Sequence, residues 1–115
     1  MSKLRLVDCA TGCCLLPEVV VAQRFVPRLL GLMGRRSLKP ETGLYLPRCS
    51  SIHMFFMRFP IDAVYLAGNE VRKIVHGLKP WRISWCRGAD GVLEAPAGWA
   101  RKAELSVGAR VRLEQ

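Results

Sequence analysis

The chain is short of several things at once. No apolar run approaches the ~18 residues a membrane-crossing helix needs. There is no glycine-rich phosphate loop and no regular strand–helix–strand repeat, which argues against P-loop and Rossmann architectures. No serine sits in a Gly-x-Ser-x-Gly elbow. Histidine occurs twice, at His53 and His76, and acids are half as frequent as bases, 9 against 18. Internal repeats and low-complexity tracts are also missing, so no linker is expected and residues 1–115 are read as a single domain. The N-terminus, Met1-Ser2-Lys3-Leu4-Arg5-Leu6, is a charged alternation without the apolar core of a signal peptide, which gives the expectation of a cytoplasmic protein.

Half of the 115 residues are apolar, enough to bury a core without a disulfide or metal. The five cysteines are an odd number, and with no export signal they are expected as free thiols in a reducing compartment. Cys9-x3-Cys13-Cys14 lacks the two-residue spacing of zinc knuckles, so neither a metal nor a cofactor is expected, and the thiols are taken as buried small hydrophobes.

The net charge is +9. Residues 23–60 supply much of it, with Arg24, Arg28, Arg35, Arg36, Lys39, Arg48 and Arg58 against the single acid Glu41. Such a surface attracts phosphates, acidic proteins or anionic lipid. Its longest basic run is two residues, and no nucleic-acid reader motif accompanies it.

Strand alternation recurs along the chain. Leu4–Val7 and Cys13–Leu16 are expected to pair around Ala10-Thr11-Gly12. Glu18–Ala22 is either a third strand or a bulged continuation past Pro17. Gly43–Leu46, Ser51–Met57, Ile61–Leu66, Val71–His76, Trp81–Cys86, Val92–Ala95 and Ala109–Leu113 complete the set. Helical spacing of Phe25, Leu29 and Leu32 predicts a helix over Gln23–Met33, and Pro96 opens a second over Pro96–Ala103. The fold class is therefore mainly β: a small β-sandwich or barrel with two short helices.

Three segments carry a family resemblance. Gly31-Leu32-Met33-Gly34-Arg35, then Met57-Arg58-Phe59-Pro60-Ile61-Asp62, then Val92-Leu93-Glu94-Ala95-Pro96-Ala97-Gly98 with Val107-Gly108, resemble the successive blocks of the domain-of-unknown-function family numbered 192. They run in the family's order over about residues 18–113. The resemblance implies a small jelly-roll-like sandwich and no particular activity.

The most apolar stretch, Ser51–Leu66, nevertheless holds His53, Arg58 and Asp62, and burying such groups is costly unless they are partnered. On an unbroken strand His53 and Met57 share a face. Asp62 is either a ligand-orienting carboxylate or a general base in a cleft, or else an ion-pair partner of Arg58 or Arg82 or an acceptor for loop N–H groups. Arg58 and Arg82 suit two-point anion binding, and an Arg82–Glu94 cross-strand pair is expected if their strands adjoin. Trp81, Trp85 and Trp99 are either core residues or, for two same-face tryptophans beside a loop, the wall of a pocket or a contact patch, and Trp85 and Trp99 are placed near the candidate site.

The leading expectation is a non-enzymatic binding module. Its pocket or patch is built from His53, Met57, Arg58, Asp62, Arg82, Trp85, Glu94 and Trp99. The ligand is an anionic small molecule or an acidic protein segment. Two rivals remain: a hydrolase or transferase using Asp62 or a Cys–His pair formed by Cys49 or Cys86 with His53, and general nucleic-acid binding through residues 23–60.

Overall fold

The computed structural model describes residues 3–21, 40–55 and 57–115. β1 (Lys3–Asp8) and β2 (Cys14–Val21) form an antiparallel pair. Asp8 shapes their connection, its Oδ1 accepting the Ala10 N–H at 2.9 Å, while Gly12 takes φ 77°. Register shifts beside Leu6 accommodate Pro17, so β2 is one bulged strand running through the proline. Proline cannot donate to a ladder, and a bulge is where that loss is tolerated.

β3 (Thr42–Pro47) lies parallel to β2. β4 (Ser51–His53) is short. β5 (Ile61–Ala67) and β6 (Glu70–Leu78) form a hairpin turning at Gly68, where φ is 61°. β7 (Ile83–Trp85) pairs with β4, and β8 (Gly91–Pro96) inserts between β5 and β3. α1 (Trp99–Lys102) and β9 (Val111–Glu114) follow. The proposed helix over Gln23–Met33 lies outside the described residues. The second is shorter than expected, because Gly98 adopts φ 93° and the helix starts only after it.

Seven strands form one sheet in the order β6-β5-β8-β3-β2-β1-β9, and β4-β7 form a separate two-stranded ribbon. The sheet curls until its two outer strands meet. Glu70 and Arg110 bridge, and Val71 N–H donates to Ala109 O at 2.9 Å while Val111 N–H donates to Asn69 O at 2.8 Å. This contact joins the first residues of β6 to the approach of β9, so the curl is closed at one end of the seam only.

Two cores result. Leu6, Leu16, Val19, Val64, Leu66, Val71, Leu93, Ala95 and Val111 come from strands all around the curl and fill its interior with Trp99 and Ala100 of α1. Leu44, Leu46, Ile61, Ala63, Tyr65, Leu78 and Val92 lie on the outer face and are covered by Ile52, Met54, Met57 and Phe59 from the ribbon side. The protein is thus a curled barrel-like sheet with a sandwich layer on one flank. β5 divides the cores: Ile61, Ala63 and Tyr65 enter the outer one, Val64 and Leu66 the inner one. A strand buried on both faces needs apolar residues on both, which accounts for its nearly unbroken hydrophobic run.

Gly91 begins β8 directly under the ring of Tyr45, and a Cβ there would overlap the tyrosine hydroxyl and ring. Gly91→Ala is expected to lose about 1–3 kcal/mol of stability through overpacking, read as a lower denaturation midpoint with an unchanged m-value. An unaltered midpoint would contradict this packing.

Candidate functional site

The eight residues singled out from the sequence divide into two groups. Met57, Asp62, Glu94 and Trp99 are buried, and His53, Arg58, Arg82 and Trp85 are exposed.

Asp62 is fully buried at the start of β5. Its Oδ1 accepts the Gly77 N–H at 2.9 Å, and its Oδ2 accepts those of Gly98 at 3.1 Å and Ala100 at 2.9 Å. Of the roles considered for it, acceptance of backbone N–H groups is the one the geometry displays. Three donors aimed at a carboxylate replace the hydration it gives up. Trp99 lies in the inner core, remote from Trp85, with its indole N–H donating to Leu15 O at 2.9 Å. It borders a cleft of about 430 Å³ together with Leu15, Pro40, Glu41, Pro96 and Lys102.

The expected Arg82–Glu94 cross-strand pair does not form. β8, which holds Glu94, pairs with β3 and β5, whereas Arg82 precedes β7, whose partner is β4. His53 and Met57 do not share a face either. β4 ends at His53, and the Met57 N–H turns back to Met54 O at 3.2 Å. The chain bend buries Met54 and Met57 in the outer core and leaves His53 outside. All five thiols are free, as expected, but they are not buried: Cys9, Cys13 and Cys14 are exposed, and Cys49 and Cys86 half-buried. Cys49 Sγ donates to Ser51 O at 2.9 Å, whereas His53 Nδ1 accepts the Phe55 N–H at 3.3 Å. Neither geometry is that of a thiol–imidazole pair. Of the basic segment 23–60, Arg24, Arg28, Arg35, Arg36 and Lys39 lie outside the described residues.

What the fold does bring together is a surface on the ribbon. Phe55, Trp81, Ile83 and Trp85 are 37%, 58%, 58% and 64% exposed. His53 lies directly opposite Ile83 across the β4–β7 ladder. The rings of His53 and Phe55 are 4.8 Å apart between centroids, and those of Phe55 and Trp81 5.9 Å. Trp81 has φ 67°, a conformation that costs a bulky residue roughly 1–3 kcal/mol. The Trp81 N–H is held there by Met54 O at 2.7 Å.

Beneath the ribbon, Ser84 faces inward and its Oγ accepts the Tyr65 hydroxyl at 2.9 Å. Lys73 of β6 donates to Trp85 O at 2.8 Å, with its ammonium about 6.0 Å from the Trp85 ring centroid and 5.9 Å from that of Tyr65. The two bonds fasten β7 to the sheet, so the apolar side chains point away from it. Burial raises the Tyr65 pKa, the Ser84 hydrogen bond offsets part of that rise, and Cys49, Cys86 and Glu94 add to it. Burial, aided by Asp90, also raises that of Tyr45.

The sequence reading passed over Phe55 and Ile83 as surface residues. A signal was present: Trp81, Ile83 and Trp85 alternate with Arg82, Ser84 and Cys86, and either half of such a stripe can face the core.

These features define a class: a small curled β domain with a buried carboxylate staple and an exposed aromatic ribbon on one flank. A family model described as "Uncharacterized ACR", DUF192, matches residues 10–113. The chain belongs to that family, whose function is unknown. Similar relatives include UPF0127 proteins of Pyrococcus furiosus, 34% identical over 82% of this chain and 84% of the relative, and of Pyrococcus horikoshii, 35% identical over 83% and 86%. Among solved structures, a candidate transcription regulator of Sinorhizobium meliloti 1021 is 27% identical with a TM-score of 0.81, over 96% of this chain and 92% of that one. A protein of unknown function from Novosphingobium aromaticivorans shares the fold at 19% identity, with a TM-score of 0.78 over 96% and 83%. Among the described residues, no helix is long and apolar enough to cross a membrane.

Two expectations follow. Asp62→Ala strands the buried Ala100 N–H and frees two further donors, and should lower stability by about 3 kcal/mol in denaturant unfolding; a loss below about 0.5 kcal/mol would contradict the staple. Because Tyr65 has a raised pKa when folded, the unfolded chain loses its phenolic proton first. Stability should therefore fall as pH rises past about 10, the ordinary tyrosine value. Tyr65→Phe should cost about 1 kcal/mol near neutrality by losing the Ser84 bond, yet flatten the alkaline decline of the melting temperature. An equally steep decline in the variant would refute the assignment.

Proposed function

We propose that this protein is a non-enzymatic binding module for an anionic ligand, a small molecule or an acidic protein segment, held on the ribbon flank by His53, Arg58, Arg82 and Trp85. One observation carries the reading. The segments that build this flank, residues 48–60 and 79–89, contain Arg48, Arg58, Lys79, Arg82 and Arg87 and no aspartate or glutamate, and all five of these bases are exposed. The exposed Asp90 borders this surface beside Arg48, its Oδ2 accepting the Gly68 N–H at 2.7 Å; five bases against that one acid leave a positive field, which raises encounter rates with anions. Arginine adds planar two-point geometry for carboxylates and phosphates.

The other four candidates are buried within the fold and do not belong to this surface. Met57 packs beneath it in the outer core. Asp62 and Trp99 fix the far end of the barrel, and Glu94 lies buried in the central strand β8. Five free thiols suit a reducing, cytoplasmic setting for such a module.

Labelled oligoglutamate tests the reading against oligolysine in a titration at low and moderate salt. Oligoglutamate should bind and raise the melting temperature by mass action, with affinity falling as salt screens the charges. Arg58→Ser and Arg82→Ser should each weaken it about two- to fivefold, the range of exposed ion pairs. Equal binding of both peptides, or indifference to both substitutions, would overturn the reading.

A further inference from the structure

The ribbon surface offers more than charge. Trp81, Ile83 and Trp85 lie along one strand segment and its approach, each more than half exposed, and Phe55 adjoins Trp81. Isolated exposed apolar residues need no explanation, but several large ones side by side mark contact surfaces. Here the fold turns them outward while it buries a serine in their place, since Ser84 faces the core to accept the Tyr65 hydroxyl. Trp81 is held outward in a left-handed backbone conformation. Strain of that kind gathers where a side chain must be presented.

Resting on the anionic-ligand reading, we infer that the natural ligand is an acidic protein segment with large apolar side chains, which lays those side chains over Ile83 between Trp81 and Trp85 and sets its carboxylates against Arg82 and its basic neighbours. Three observations select this occupant. The flanking segments carry five bases and no acid, which complements acidic chains and repels a second copy of a protein with net charge +9. The ring faces are partly taken already: His53 lies over Phe55, Phe55 over Trp81, and the Lys73 ammonium over Trp85. Nucleobases need open faces to stack on. An aliphatic residue, Ile83, occupies the centre of the row, and it suits side-chain packing rather than base stacking. The combination of tryptophans as anchors with arginines around them is also the composition that dominates protein–protein contact energies.

The test is a fluorescence-anisotropy comparison on the full chain. The probes are a labelled peptide alternating glutamate with leucine and phenylalanine, oligoglutamate of equal charge, and oligothymidylate. The alternating peptide should bind at least about tenfold more tightly than oligoglutamate, a gain of about 1.4 kcal/mol. Ile83→Ser and Trp85→Ser should each remove most of that gain. Both side chains are exposed, so their melting curves should stay close to that of the parent protein.

Equal affinity for the two acidic peptides, unaffected by either substitution, would overturn this inference while leaving the anionic-ligand reading in place. Failure of both acidic peptides to bind would overturn the two together. Tighter binding of oligothymidylate than of the alternating peptide would assign the surface to single-stranded nucleic acid instead. Concentration-dependent self-association in sedimentation that Trp85→Ser abolishes would assign it to a second copy of the chain.

Discussion

The carboxylate of Asp62 joins three parts of the chain that sequence keeps apart. It sits at the start of β5 and accepts N–H groups from Gly77 late in β6 and from Gly98 and Ala100 at α1. Hydrophobic burial alone has no direction and would let α1 slide across the barrel mouth. Three hydrogen bonds to one buried anion fix its position, because each donor left behind would be a desolvated group without a partner. With α1 held, Trp99 reaches Leu15 and the inner core is closed at that end.

The outer core depends on the same strand. Since β5 is covered on both faces, whatever positions it for the interior also positions Tyr65 for the ribbon. Tyr65 donates to Ser84, and Lys73, paired with Tyr65 across β5–β6, donates to Trp85 O. The aromatic ribbon is thereby carried on the most deeply buried element of the molecule. A contact surface gains from such support, since side chains mounted on a rigid frame lose little further freedom on binding.

Much of the fold could be read from patterns. Period-two alternation located most strands, and the strands on either side of Ala10-Thr11-Gly12 pair as expected, with Leu6 opposite Leu16 and Val7 opposite Cys14. The proposed site was legible in part. His53, Arg58, Arg82 and Trp85 were identified and are exposed. The break after His53 was not foreseen, because Met54, Phe55 and Met57 continue the apolar run although the backbone turns there. The pairing of Glu94 was misplaced for a related reason: which strands adjoin depends on contacts between distant parts of the chain, and β8 lies between β5 and β3.

By itself the sequence determined the local matters: a chain apolar enough to fold, mostly in short strands, basic on one stretch, with a carboxylate buried inside a hydrophobic strand. These follow from composition and near-neighbour sterics. Only the tertiary structure decided which half of the stripe Trp81–Cys86 faces water and what Asp62 bonds to. Alternation separates two faces without saying which is covered, and a carboxylate in a strand does not reveal its donors. Both were settled by long-range placement, through the buried hydroxyl of Tyr65 that requires Ser84 inside and the arrival of α1 over the start of β5.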